Sequence, residues 1–243
     1  MLFQCLGTSE ESRAIMATIK DKLQETTQRI ATACGKAGRA VDSVTLLAVT
    51  KTFSATVVRE AHAAGLHRFG ENYVQEGLDK IDALADLRAG LEWHLIGPLQ
   101  SNKTRPVAEN FDWVHSVDRL KIAQRLAEQR PPHLPPLNVC LQVNISGEAS
   151  KSGLAPAEAA DLARAVAALP RLRLRGLMAV PEPAADFEAQ RAPHRALAAL
   201  LTELNGQGLA LDTLSMGMSA DLEAAIAEGA TLVRVGSALF GAR

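Results

Sequence analysis

Strand-like and helix-like segments alternate along this chain from near its start to its end, and that alternation limits the folds open to it. After a first helix over roughly residues 10–34, a buried strand spans 44–51. Short strands then recur at 67–70, 92–96, 112–116, 137–144, within 172–180, at 211–215 and at 231–235. Helical stretches separate them. Ser54, Ser101, Asp118 and Ser219 stand as helix openers, and Gly229 as a helix stop. Eight strands alternating with helices in 243 residues fit a single-domain (β/α)8 TIM barrel with an extra N-terminal helix better than an open doubly wound sheet. An open sheet needs fewer strands and a Gly-rich first turn, and no G-x-G-x-x-G follows the first strand here. The expected division is a short extension over 1–9 and one barrel over 10–243, without internal repeats. The Pro-rich run 130–136 reads as a stiff turn before the fifth strand.

Composition narrows the function. The net charge is −1 and only 4% of residues are aromatic, which argues against a nucleic-acid surface built on basic patches and stacking rings. The three cysteines, Cys5, Cys34 and Cys140, form no C-x-x-C pair and no even framework, as expected of a reduced cytoplasmic protein. Residues 2–6 are too short an apolar start for a signal peptide. No apolar run approaches the ~20 residues of a membrane span. Nothing in the sequence signals assembly, and a monomer is expected.

In a barrel, the carboxyl ends of the strands carry the site. That rule picks out Lys51, Glu71, Asn72, Asn144, Met178, Ser215, Arg234 and Gly236. Lys51 ends an apolar, β-branched strand. A lysine partly withdrawn from water is a nucleophile toward carbonyls, although a lysine at a strand end can equally just extend into solvent. The loops 214–219 and 233–237 place small residues and backbone N–H groups at helix starts after strands seven and eight, where barrels hold phosphate. An amine facing a phosphate cradle suits a ligand with both an aldehyde and a phosphate, and pyridoxal 5′-phosphate (PLP) is such a molecule. Arg234 would then face the pyridine ring, and its charge would oppose protonation of the ring nitrogen.

The segments Leu46–Lys51, Phe69–Glu76, Trp93–Lys103, Lys151–Gly153, Arg175–Met178, Leu214–Ser219 and Arg234–Gly241 resemble, in order, those of the pyridoxal phosphate homeostasis proteins, single-domain relatives of the alanine racemase barrel. The resemblance implies that Lys51 carries PLP as an internal aldimine. It places Ser215, Ser219, Gly236 and Ser237 at the phosphate, Arg234 at the pyridine nitrogen and Asn72 near the ring. It leaves open which of Ser215 and Ser219 touches the phosphate directly. Residues 1–9 and the 131–136 turn match no family segment.

A racemase of this fold needs a second base, a tyrosine from a further domain. The single tyrosine here is Tyr73. The implied role is therefore that of a non-enzymatic PLP binder that buffers, carries or delivers the cofactor, with PLP-dependent apo-enzymes as recipients. The alternative is a monomeric PLP-dependent amino-acid racemase using Lys51 with His94 or Tyr73. An aldolase or isomerase barrel built on Glu71 and a lysine is the weakest reading. His62 and His67, five residues apart, are not expected to share a metal. His94, His115, Trp93 and Trp113 read as packing or barrel-lining groups, and Lys103 and Lys151 as solvated.

Overall fold

The computed structural model describes residues 7–147 and 152–241, with side chains from residue 18 onward. The eight strands are β1 (Thr45–Val49), β2 (Arg68–Glu71), β3 (Glu92–Leu95), β4 (Trp113–Val117), β5 (Leu137–Gln142), β6 (Leu172–Met178), β7 (Thr213–Ser215) and β8 (Leu232–Val235). They pair in sequence order, all parallel, and β8 closes on β1, giving a closed barrel. This is the TIM barrel that the alternation predicts. The helices are α1 (Gly7–Lys36), α2 (Ala55–Ala63), α3 (Val74–Ala83), α4 (Thr104–Asn110), α5 (Leu120–Gln129), α6 (Ala159–Ala167), α7 (Phe187–Gly206), α8 (Leu222–Ala227) and α9 (Ser237–Phe240). Helix α1 starts at Gly7, so residues 7–9 of the expected extension are helical.

Most buried apolar residues lie between the strands and the helices, among them Ala48, Phe69, Trp93, Val114, Leu141, Leu177 and Val233. A separate small cluster of Trp113, Cys140 and Met178 belongs to the barrel interior. The parallel register aligns Gly70 with His94, His94 with Trp113, and Met178 with Ser215. Neighbours in register share a face of the pleat, so His94 and Ser215 also point inward. Barrel interiors are normally filled by branched aliphatic residues; this one is crossed by polar groups. A register shift lies in β4 between Val114 and Val117. Such an irregularity re-aims a side chain, and here it falls beside the inward-facing His115.

Several local expectations are corrected. Ser54 does cap α2, accepting from Val57 N. Ser101 instead starts a 3-10 turn, Ser101–Lys103, and Lys103 stands at the cap of α4. Helix α5 begins at Leu120 with Arg119 at its cap, and Asp118 pairs with Arg119. Ser219 precedes α8 without capping it; Asp221 holds that position. His62 and His67 do meet, ring to ring at 5.0 Å, because the chain reverses between α2 and β2. Among the described residues there is no metal-binding cluster of His, Cys, Asp and Glu. Among them, too, no helix is long and apolar enough to cross a membrane.

Candidate functional site

Lys51 lies two residues beyond β1, in a turn whose backbone is held on both sides. Thr50 N donates to Gly70 O at 3.0 Å, and Phe53 N donates to Thr50 O at 3.0 Å. Thr52 has φ +68°, the left-handed region that a β-branched residue seldom enters. Its N–H donates to the Glu76 carboxylate. The clamp behind this turn is a buried ion cluster. Lys80 Nζ donates at 2.7 Å to each of Thr50 O, Glu71 Oε1 and Glu76 Oε1, and Thr50 Oγ1 donates to Glu71 Oε1 at 2.7 Å. Burial pushes the Glu71 carboxyl above the ordinary range, and the Lys80 ammonium only partly offsets this. Glu71 is therefore a structural partner of Lys80. It does not line the cavity in front of Lys51.

That cavity, about 390 Å³, opens at the carboxyl ends of the strands. It is lined by Lys51, Asn72, Met218, Ser219, Arg234, Gly236 and Ser237, with Val49, Ile96, Val180 and Ala220. Its volume falls within the usual range for small-molecule sites. A wider cleft of about 780 Å³ runs along α1. It is an open surface groove in which Arg29 is already paired with Glu223. Six of the seven residues expected at a cofactor thus share one cavity, and Ser215 does not line it. Ser215 is fully buried. Its hydroxyl accepts from Arg234 Nη1 at 2.8 Å, so it supports Arg234 from behind, and Ser219 is the serine at the cavity wall. Asn144 and Met178 also lie off the lining. Lys151 is outside the described residues.

Arg234 is 4% exposed. Nη1 also donates to Ser215 O at 2.6 Å, and Nη2 donates to Ala179 O at 2.8 Å. Burial lowers its pKa to about 10, opposed by the negative charge of Asp221, so it remains a cation at neutral pH. A guanidinium has five N–H donors. Three are engaged, and two are left for an acceptor in the cavity.

The wall formed by 218–220 is pinned from three sides. Met218 N donates to Asp221 Oδ1 at 2.6 Å, and His194 Nε2 lies 2.9 Å from Asp221 Oδ2. Arg29 Nη2 of α1 donates to Ser219 O at 3.1 Å while the same guanidinium grips Glu223. Across the cavity, Ser237 Oγ lies 3.4 Å from Ser219 Oγ. A Cβ on Gly236 would stand 3.2 Å from Val49 O, so the tight approach of β8 to β1 favours glycine there. Lys80, His194 and Arg29 were not apparent in the sequence as supports. Each reaches the site from an outer helix, and no spacing rule links them to it.

The candidate second bases lie elsewhere. Tyr73 is 60% exposed at the cap of α3. His94 is fully buried in the barrel interior, 2.9 Å from both Glu92 and His115. Neither lines the cavity.

Known proteins resemble this chain in sequence and fold. The family described as alanine racemase, N-terminal domain, matches residues 20–243. The pyridoxal phosphate homeostasis protein of Pseudomonas aeruginosa is 65% identical over 94% of this chain and 97% of its own length. That of Escherichia coli strain K12 is 55% identical over 94% and 98%. The solved structure of PipY from Synechococcus elongatus with PLP bound superposes with a TM-score of 0.79 at 37% identity, over 92% of this chain and all of that one. The chain belongs to the pyridoxal phosphate homeostasis protein family, built on the alanine racemase N-terminal barrel.

Proposed function

We propose that this protein binds PLP in the cavity at the carboxyl ends of the strands and serves intracellular PLP homeostasis by holding and releasing the cofactor. One observation carries the reading: an amine, Lys51, a buried guanidinium with unspent N–H groups, Arg234, and two facing hydroxyls, Ser219 and Ser237, line a single cavity. When bound, PLP supplies an aldehyde that condenses reversibly with an amine. Lys51 is the tether. Ser219, Ser237 and the backbone at Gly236 hold the phosphate, Arg234 faces the ring nitrogen as a donor, and Asn72 flanks the ring. Ser215 acts through Arg234.

The protein works as a cytoplasmic carrier, a monomer that delivers PLP to apo-enzymes. The racemase alternative is disfavoured because Tyr73 and His94 lie outside the cavity lining. Borohydride treatment of the PLP-loaded protein, followed by peptide mapping, should place the label on Lys51. Lys51→Ala protein that keeps the visible absorption with no other lysine labelled would sink the assignment. Turnover of any amino acid at ~1 s⁻¹ or more would restore the racemase reading. Transfer to an apo-enzyme that persists with a trap for free PLP would show direct delivery.

A further inference from the structure

The barrel interior holds a continuous line of hydrogen bonds that starts at Arg234 and ends at the opposite mouth. Arg234 Nη1 donates to Ser215 Oγ at 2.8 Å. Ser215 Oγ lies 2.8 Å from His115 Nδ1, His115 Nε2 lies 2.9 Å from His94 Nδ1, and His94 Nε2 lies 2.9 Å from Glu92 Oε1. Glu92 is the first residue of β3, at the amino-terminal end of the barrel. It shares a second cavity there with His94, Arg68, Arg175 and Asp212.

With both imidazoles neutral, the ends of the line set the direction of every proton in it. Arginine only donates, and a carboxylate only accepts. Ser215 Oγ therefore accepts from Arg234, and its own proton goes to His115 Nδ1, which must be bare. The His115 proton then sits on Nε2 and points at a bare His94 Nδ1. The His94 proton sits on Nε2 and points at Glu92. This order requires both rings to be neutral. Burial, foremost, lowers both imidazoles below their ordinary pKa, and the positive charge of Arg234 adds to this at His115. Burial raises the Glu92 carboxyl, but the His94 hydrogen bond and the positive charge of Arg68 act against it, and on balance it lies below the ordinary carboxylate range and stays ionised. The other charges nearest the line are Arg68 and Asp112 at His94 and Asp221 at Arg234.

We propose that Glu92, His94, His115 and Ser215 are positioning residues, a one-way relay that keeps Arg234 a charged donor toward the cofactor's ring nitrogen and couples that nitrogen to the opposite mouth of the barrel. This rests on the PLP reading above. Each aligned dipole turns its negative end toward Arg234, which keeps a buried guanidinium charged. A charged arginine cannot take up the proton of a ring N–H, so the nitrogen facing it stays bare. If the relay is cut, His115 is free to place its proton on Nδ1. Ser215 Oγ would then face two donors, and Arg234 would lose its sole claim on it.

The test has two parts. In the PLP-free protein at pH 7, nitrogen-15 NMR should show His94 and His115 neutral with the proton on Nε2. A protonated ring, or a proton on Nδ1, overturns the relay whatever the cofactor does. PLP titration monitored by visible absorption then compares four variants. Arg234→Gln should shift the absorption of the bound cofactor. His115→Leu should shift it in the same sense and weaken PLP binding about tenfold, roughly 1.4 kcal/mol. His115→Asn keeps an acceptor near the Nδ1 position and should recover most of that loss. Glu92→Gln sits at the half-exposed end, where folding is least at risk, and should mix the His94 tautomers and move the absorption detectably. If Arg234→Gln shifts the absorption while Glu92→Gln and any folded His115→Leu protein do not, the relay falls and the cofactor assignment stands. If Arg234→Gln itself shifts nothing, the ring assignment falls and takes the relay with it.

Discussion

Lys80 Nζ donates to the carbonyl of Thr50 at 2.7 Å, one residue before the lysine that faces the cavity. The same ammonium satisfies Glu71 and Glu76. Its side chain is 5% exposed and that of Glu71 is fully buried. Lys80→Met removes one partner of a buried pair, which typically costs about 3–5 kcal/mol because the other charge is stranded. The double variant Glu71→Gln, Lys80→Met should recover part of this. Urea midpoints test it, and PLP affinity should fall in both variants because the Lys51 turn loses its clamp.

Gly97 follows β3 against the backbone of Asn72. A Cβ there would lie 2.1 Å from Asn72 O. No side chain can yield to relieve that clash, so Gly97→Ala must push Asn72 and the end of β2 aside. The expected cost is about 1–3 kcal/mol in stability, together with weaker PLP binding, read by denaturation and cofactor titration.

His94 and His115 are held neutral in the folded chain, chiefly by burial. Unfolded histidine titrates near 6.5. Below that pH the unfolded chain takes up protons that the folded chain refuses. This contribution to stability is therefore complete above about pH 7 and is lost as pH falls. Its slope approaches about 1.4 kcal/mol per pH unit for each ring. Denaturation midpoints between pH 7 and 5 should fall, and His115→Asn should reduce the slope.

Arg29 ties α1 to the cavity wall through Ser219 O and Glu223. Both members of the ion pair are more than a third exposed, so its direct worth is at most about 1 kcal/mol. Arg29→Ala should therefore change PLP affinity more than stability. Parallel thermal melts and titrations check the ratio.

Local spacing determined a good deal. Short apolar, strand-like runs alternating with helical stretches marked all eight strands within a few residues, and the barrel followed from their number. The rule that barrels carry their sites at strand ends picked out Lys51, Asn72, Arg234 and Gly236, along with Glu71, Asn144, Met178 and Ser215, which do not line the cavity; Ser219 and Ser237 came from the loops after strands seven and eight and from the family resemblance. Helix starts were less legible. The turns at Ser101, Asp118 and Ser219 are set by 3-10 geometry and by partners distant in sequence, such as Arg29 at Ser219. What tertiary structure alone decided is the polar support: that Lys80 rather than a solvent ion answers Glu71, that Ser215 backs Arg234 instead of facing the cavity, and that His94 and His115 carry that contact across the barrel to Glu92. Sequence periodicity reports which face of a strand is buried. Only closure of the barrel determines which buried groups from strands up to 100 residues apart, such as His115 and Ser215, come within hydrogen-bond reach, where each must find a partner or bear the cost of desolvation.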